Sequence, residues 1–189
     1  MTAATLTGSL LVATPMLDEP PFRRAVVLLL DHDEDGALGV VVNQAADLAV
    51  GRVLADWSGT VTEPGVLFVG GPVSTDNALA IGELADGVGN PPSLPGWRGC
   101  FGRIGLVDLD LPPSMVTGVV GRMRIFAGYS GWGSGQLEGE IADGAWYVVE
   151  SEPDDVFNLD PARLWRRVLR RQRDEMAFVS TYPDDPTFN

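Results

Sequence analysis

Lysine is absent from this 189-residue chain, and all thirteen of its basic side chains are arginine. A P-loop lysine, a Schiff-base lysine and a Ser-Lys pair are therefore excluded. Histidine and cysteine occur once each, as His32 and Cys100. Neither an intrachain disulfide nor a zinc site of the Cys/His kind can be built from them, although a carboxylate-held magnesium or calcium ion stays open. Long apolar runs are missing too. Residues 25–30, "AVVLLL", fall far short of the roughly 18 residues that a membrane helix needs. The opening "MTAATLTGSLLVATP" lacks the positive n-region of a signal peptide. A cytoplasmic protein with no membrane partner is expected, and no cofactor. Positive charge is scarce: 26 acids give a net charge of −13, which repels nucleic acid at long range and makes direct nucleic-acid binding disfavoured.

What is present is a globular composition, 45% hydrophobic, and a length that suits one domain over residues 1–189, with an acidic irregular tail from about residue 180. "FRRAVVLLLDH" and "GALGVVVNQ" are β-branched apolar runs joined by an Asp-Gly pair, which predicts a hairpin with strands near 24–31 and 37–43. Helical spacing at 50–57 predicts a short helix. Further strands are expected at "VLFVGGPV", "ALAIGEL", "RIGLVDL", "RMRIFAGY" and "AWYVVES", with a short helix at "GQLEGEIADG". Residues 85–99 read as loop because of Pro91, Pro92 and Pro95. Residues 160–176 read as an amphipathic helix with Asp160 as N-cap and Pro161 at its first position. Leu164, Trp165, Val168, Leu169 and Met176 fall on one face, and Arg163, Arg166, Arg167, Arg170, Arg171 and Arg173 on the other. Strands in clusters with interspersed helices point to a mixed sheet or small barrel flanked by helices.

The motifs carry little complete chemistry. In "GYSGWGSGQLEGE", residues 128–140, the glycines read as a strand-to-helix turn, where phosphates often bind. Gln136 breaks the dinucleotide pattern and Trp132 breaks the nucleophile elbow around Ser130. The acidic run "DHDEDG" begins like a calcium loop, but Val42 stands where the closing glutamate belongs, so a solvated hairpin tip is favoured. His32 is a candidate general base without an identified nucleophile or orienting partner. The arginine face reads first as a solvated helix side, then as a seat for an acidic partner or for the chain's own acidic segment, and last as a nucleic-acid surface. Cys100 is expected to be buried rather than reactive.

The blocks "GSLLVATPMLDEPPFRRAVVLLLDHDEDGALGVVVNQ", "VLFVGGPV" and "IFAGYSGWGSGQLEGEIADGAWYVV", in one collinear order, resemble the YqgE/AlgH family of bacterial proteins. The resemblance implies an α/β (α+β-like) protein with a bifurcated mixed sheet forming a small closed β-barrel, flanked by helices. It brings no established activity. One branch is named for a regulatory role in alginate synthesis, which implies an indirect part in transcription. The family's pattern falls on, among others, Phe22, Gly36, Leu137, Glu140 and Trp146. The expected function is that of a non-catalytic ligand-binding or regulatory protein, with an unidentified small ligand or protein partner. Its candidate site comprises His32, Asn43, Gly70, Gly71, Tyr129, Trp132, Gln136 and Glu138, without a catalytic set or metal ligands. The alternatives are a hydrolase or transferase using His32 with Ser130 or Glu138, and nucleic-acid or partner binding through the arginine-rich helix 160–176.

Overall fold

The computed structural model describes residues 5–89, 91 and 93–184. Residues 1–4, Asn90, Pro92 and 185–189 lie outside this description, so the expected signal-free start, the proline-rich loop and the acidic tail are each seen in part. Ten strands run in chain order: β1 (Ser9–Ala13), β2 (Val26–Asp33), β3 (Gly36–Val41), β4 (Ala45–Ala49), β5 (Val66–Val69), β6 (Val73–Leu84), β7 (Trp97–Phe101), β8 (Ile104–Val107), β9 (Val120–Gly133) and β10 (Trp146–Glu150). Four short helices accompany them: α1 (Gln136–Ala142), α2 (Pro153–Val156), α3 (Leu164–Arg171) and α4 (Glu175–Val179).

The sheet follows the order β10-β1-β2-β3-β9-β6-β8-β7, antiparallel throughout this path. A branch leaves it where β5 pairs in parallel with β9 and carries β4 on its other side. The sheet is mixed and branched as expected, but it curls into an open half-barrel: among the described residues no ladder joins β7 to β10 to close the expected barrel. At the seam, the ring of Phe101 in β7 packs where a Cβ on Gly8 would come within 3.0 Å, so a side chain rather than a backbone ladder meets β1's neighbour. The other end of the sheet is covered as well, because Arg171 of α3 donates to the Glu150 carbonyl of β10 (2.9 Å). The helices are few and short, so the molecule is mostly sheet.

Burial explains the unbroken apolar runs. In β1 and β2, Leu10, Val12, Val26 and Leu28 face a cluster completed by Leu164, Trp165, Val168 and Leu169 of α3. Their sequence neighbours Leu11, Ala13, Val27 and Leu29 face a second cluster with Trp132, Leu137 and Trp146. Strands covered on both faces have no need of polar alternation. A third cluster, including Trp57, Trp97, Met123 and Ile125, fills the β6–β8 half. Arg124 lies at 1% exposure, with its guanidinium donating to the carbonyls of Val156 (2.7 Å), Glu63 (2.7 Å) and Asn158 (3.1 Å) and stacked 4.3 Å over Phe68. Burial, then the nearby Arg122 charge, pushes its pKa down to about 10.

Several elements differ from the sequence expectation. The Asp-Gly hairpin is present, with Glu34 and Asp35 at its tip and exposed, and Gly36 pairing into β3. Residues 50–57 form two 3-10 turns, Val50–Arg52 and Ala55–Trp57, separated by Val53 and Leu54. Trp97–Phe101, expected in part as loop, is a strand paired to β8. The glycines of "GYSGWG" are strand, not turn: β9 runs through Gly133, and only Ser134 and Gly135 connect it to α1. The 160–176 helix is broken into a 3-10 turn Pro161–Arg163, then α3, then α4. Asp160 makes no side-chain cap. Gln172 leaves the helix in extended conformation, and Asp174 caps α4 by accepting from Met176 N (2.9 Å).

Candidate functional site

The eight candidate residues fall into three places. His32, Trp132, Gln136 and Glu138 meet where the β2–β3 hairpin packs on α1. A bulge between Leu29 and Asp31 shifts the strand's parity, so that past it His32, not Asp31, turns toward the helix. His32 Nε2–H donates to Glu138 Oε1 (2.8 Å), while Nδ1 accepts from Leu6 N–H (3.1 Å). The amide at the start of α1, then His32, holds the Glu138 carboxyl below its ordinary pKa. Beside this pair, Gln136 Oε1 accepts from Gly133 N–H (3.1 Å), and its amide donates to Glu140 Oε1 (3.0 Å). Glu140 Oε2 then accepts from both indoles, Trp132 (2.9 Å) and Trp146 (2.8 Å). The two indoles meet edge to face at 6.1 Å, with the Phe22 ring against both. Glu140 and Trp146, outside the eight candidates, join this cluster through those indole bonds. An acid four residues beyond Gln136 on one helix face was the available signal.

Gly70, Gly71 and Tyr129 form the second place, where the chain leaving β5 crosses β9. Gly70 N–H donates to Ala127 O (2.9 Å), and its carbonyl accepts from Val41 N–H (2.9 Å) and the Ser130 hydroxyl (3.1 Å). A Cβ on Gly71, at φ 153°, would stand 2.3 Å from the Tyr129 carbonyl, so this crossing admits only glycine.

Asn43 is the third place, and it opens on a groove. Its Oδ1 accepts from Val26 N–H (2.8 Å) and its Nδ2 donates to the Arg24 carbonyl (2.9 Å). This clamp spans Ala25 and holds Arg24 in the left-handed region, φ 54°. Arg24 lies 4.8 Å over the Trp165 ring, whose indole donates to the Ala13 carbonyl (2.9 Å). Around them runs a groove of about 850 Å3 lined by Asn43, Arg24, Trp165 and the α3 side, including Arg163, Arg166, Arg167, Arg170 and Arg171. A second cavity of about 480 Å3 joins it through Arg24, Trp165 and Asp184, bordered by Thr14, Asp18, Arg23 and Tyr182. Among the described residues, no hydrogen bond or ion pair engages the guanidinium of Arg167 or Arg170. Arg171 is engaged: it clasps the buried Asp155 carboxylate with two bonds of 2.7 and 2.8 Å.

The polar atoms of His32, Gln136 and Ser130 are thus taken up by the fold, and His32 has no ring nitrogen left to face a substrate. The required reach between His32 and Glu138 is met, but Ser130 gives its proton to a carbonyl and is fully buried. Cys100 is half-buried, and burial pushes its thiol pKa up, away from thiolate reactivity. Among the described residues no group of three or more metal-ligating side chains is assembled, and no helix is long and apolar enough to cross a membrane.

Comparison with known proteins agrees with this architecture. Residues 10–177 match the AlgH-like family model. A UPF0301 protein of Streptomyces coelicolor is 58% identical over 186 residues, covering 98% of this chain and 96% of the relative. Another from Thermobifida fusca is 48% identical, covering 100% and 98%. The crystal structure of a Corynebacterium diphtheriae protein superposes with a TM-score of 0.88 at 32% identity, covering 96% of this chain and 95% of that one. The solution structure of the AlgH protein from Pseudomonas aeruginosa gives 0.70 at 25% identity, covering 98% of each. With the family model matched over residues 10–177 and a relative 58% identical along nearly the whole chain, the chain belongs to the AlgH-like, UPF0301 family.

Proposed function

We propose that this protein is a non-catalytic, cytoplasmic binding protein whose seat is the arginine-lined groove beside Asn43, and that its ligand or protein partner is anionic. The observation that carries this reading is the placing of Arg167 and Arg170, unpaired among the described residues, along a groove that Arg24 enters from the opposite wall. In a chain of net charge −13, a concave surface lined by six arginines against Asp160 and Asp184 focuses attraction on anions that the rest of the molecule repels. His32, Trp132, Gln136 and Glu138, with their hydrogen bonds made internally, support this seat from behind the sheet and do not carry chemistry in this reading. A regulatory role, through binding and without direct contact to nucleic acid, is its natural extension.

The test is a thermal-shift titration with sodium tripolyphosphate at low ionic strength, because a ligand bound only by the native state raises its apparent stability. The wild-type chain should show a saturable rise that fades with salt, and an Arg167→Ala/Arg170→Ala variant should show little. No rise in the wild type at low salt would sink the proposal. An unchanged rise in the variant would place the anion elsewhere.

A further inference from the structure

The joined groove already holds a ligand-like segment of the chain itself. Arg24 donates to the main-chain carbonyls of Tyr182 (2.9 Å) and Pro183 (2.5 Å), and Arg23 donates to the carbonyl of Asp184 (2.5 Å). The Asp184 carboxylate is shared between Arg24 and Arg166, the latter at 3.0 Å. Three carbonyls in succession and one carboxylate are what an extended acidic peptide presents. Inorganic phosphate or a nucleotide would not reproduce that spacing of acceptors. Resting on the anionic reading above, we propose that the groove recognises an acidic peptide segment, and that residues 182–184 occupy part of the seat in cis until such a segment displaces them.

Two features make displacement feasible. The strap is lightly held, since the Asp184 side chain is 82% exposed and solvent-exposed ion pairs contribute little. Among the described residues, it also uses only the Arg23, Arg24 and Arg166 end. Arg167 and Arg170 lie along the groove beyond it, so a longer acidic peptide gains contacts that the strap does not make. That difference in contacts is the differential affinity any displacement requires.

The probe is a fluorescein-labelled peptide with the sequence of residues 181–189, TYPDDPTFN, followed by anisotropy at low salt against the full-length chain. An Asp184→Ala chain should bind it several-fold more tightly than the wild type, with about ten-fold as the ceiling reached when a strap that fills the seat nine-tenths of the time is fully released. Adding Arg166→Ala to that variant should abolish the gain, and the peptide with both aspartates replaced by asparagine should not bind. In the same variant, the Trp165 indole NMR signal should move, and peptide should shift it back toward the wild-type position. Equal affinity for wild type and Asp184→Ala would overturn the cis occupancy, and equal binding of the neutral peptide would overturn acidic recognition. Tripolyphosphate separates the two levels: if it binds while the peptide binds neither chain, the peptide inference fails and the anionic groove stands; if neither binds, both fail.

Discussion

Glu140 accepts hydrogen bonds from two buried indoles on one carboxylate oxygen and from Gln136 on the other. Its truncation strands two N–H donors in an apolar cluster, and unsatisfied buried donors each cost about 1–3 kcal/mol. Glu140→Ala should therefore lower stability by about 2–6 kcal/mol in urea melts followed by tryptophan emission, while Glu140→Gln, which keeps an acceptor oxygen, should lose less. Two glycines make a sharper contrast. At Gly71 a Cβ would meet the Tyr129 carbonyl at 2.3 Å and the Ser130 hydroxyl at 2.4 Å, with φ at 153°, whereas a Cβ at Gly139 in α1 meets nothing within 4 Å. Gly71→Ala should cost about 2–4 kcal/mol or prevent folding, and Gly139→Ala should add about 0.5–1 kcal/mol by helix propensity. An unchanged melting temperature for Gly71→Ala would refute the steric account of the β5–β9 crossing. The sequence alone marks Gly71 only as a candidate ligand contact, because a close backbone approach leaves no local trace.

Among elements, α3 shows how a stripe read from sequence acquires separate roles. Its apolar face, Leu164, Trp165, Val168 and Leu169, was legible from spacing and is buried as expected. Its arginine face is not uniform. Arg171 neutralises Asp155, which is 2% exposed and also closes the turn into α2 by accepting from Glu152 N–H (2.7 Å). Arg171→Ala leaves that carboxylate buried and unpaired, and should cost about 3–5 kcal/mol by denaturant melts. Adding Asp155→Asn should recover part of the loss, since a neutral amide strands no charge; no recovery would mean that Arg171 acts through packing alone. The strand conformation of the β9 glycines has an equally physical source. Gly128, Gly131 and Gly133 argue locally for a turn, but a Cβ on Gly128 would stand 2.6 Å from the Gly71 carbonyl, so tertiary crowding puts glycine in a strand. The break after α3 is not legible in the sequence because Gln172 and Arg173 are ordinary helix residues, and the stop comes from an extended Gln172 whose side chain donates to Val168 O (2.9 Å).

For the molecule as a whole, the groove is assembled from parts far apart in the chain: Arg23 and Arg24 before β2, Asn43 after β3, α3, and the strap 182–184. Sequence reading named the arginine face and a possible acidic segment of the chain as its partner, yet could not join them to Arg24, because nothing local encodes a contact across about 160 residues. The pH dependence of that contact follows from its charges. The hydrogen bond from Arg166, then the Arg24 charge, holds the docked Asp184 carboxyl below its ordinary pKa. Around it stand Arg23, Arg24 and Arg166, with Asp18 on the far wall of the smaller cavity. A group whose pKa is depressed on docking supports the docked state above its free pKa and withdraws that support as pH falls through the lowered value. The strap should therefore be held at neutral pH and released in acid below the ordinary aspartate range. The Trp165 indole signal should report this release, and the Asp184→Ala chain should show no such transition.

The pairing of β1 with β10 sets an order of events during synthesis. Ser9 lies opposite Glu150 and Leu11 opposite Val148, and the Trp165 indole reaches back to Ala13. At about 5–20 residues per second, the ribosome delivers β10 on the order of ten seconds after β1 has emerged. For that interval a strand of five residues, "SLLVA", has only β2 for company and an unpaired edge toward solvent. The nascent chain thus carries β1 with an open edge until β10 arrives, and a translational pause before residue 146 would lengthen that exposure more than one placed after it.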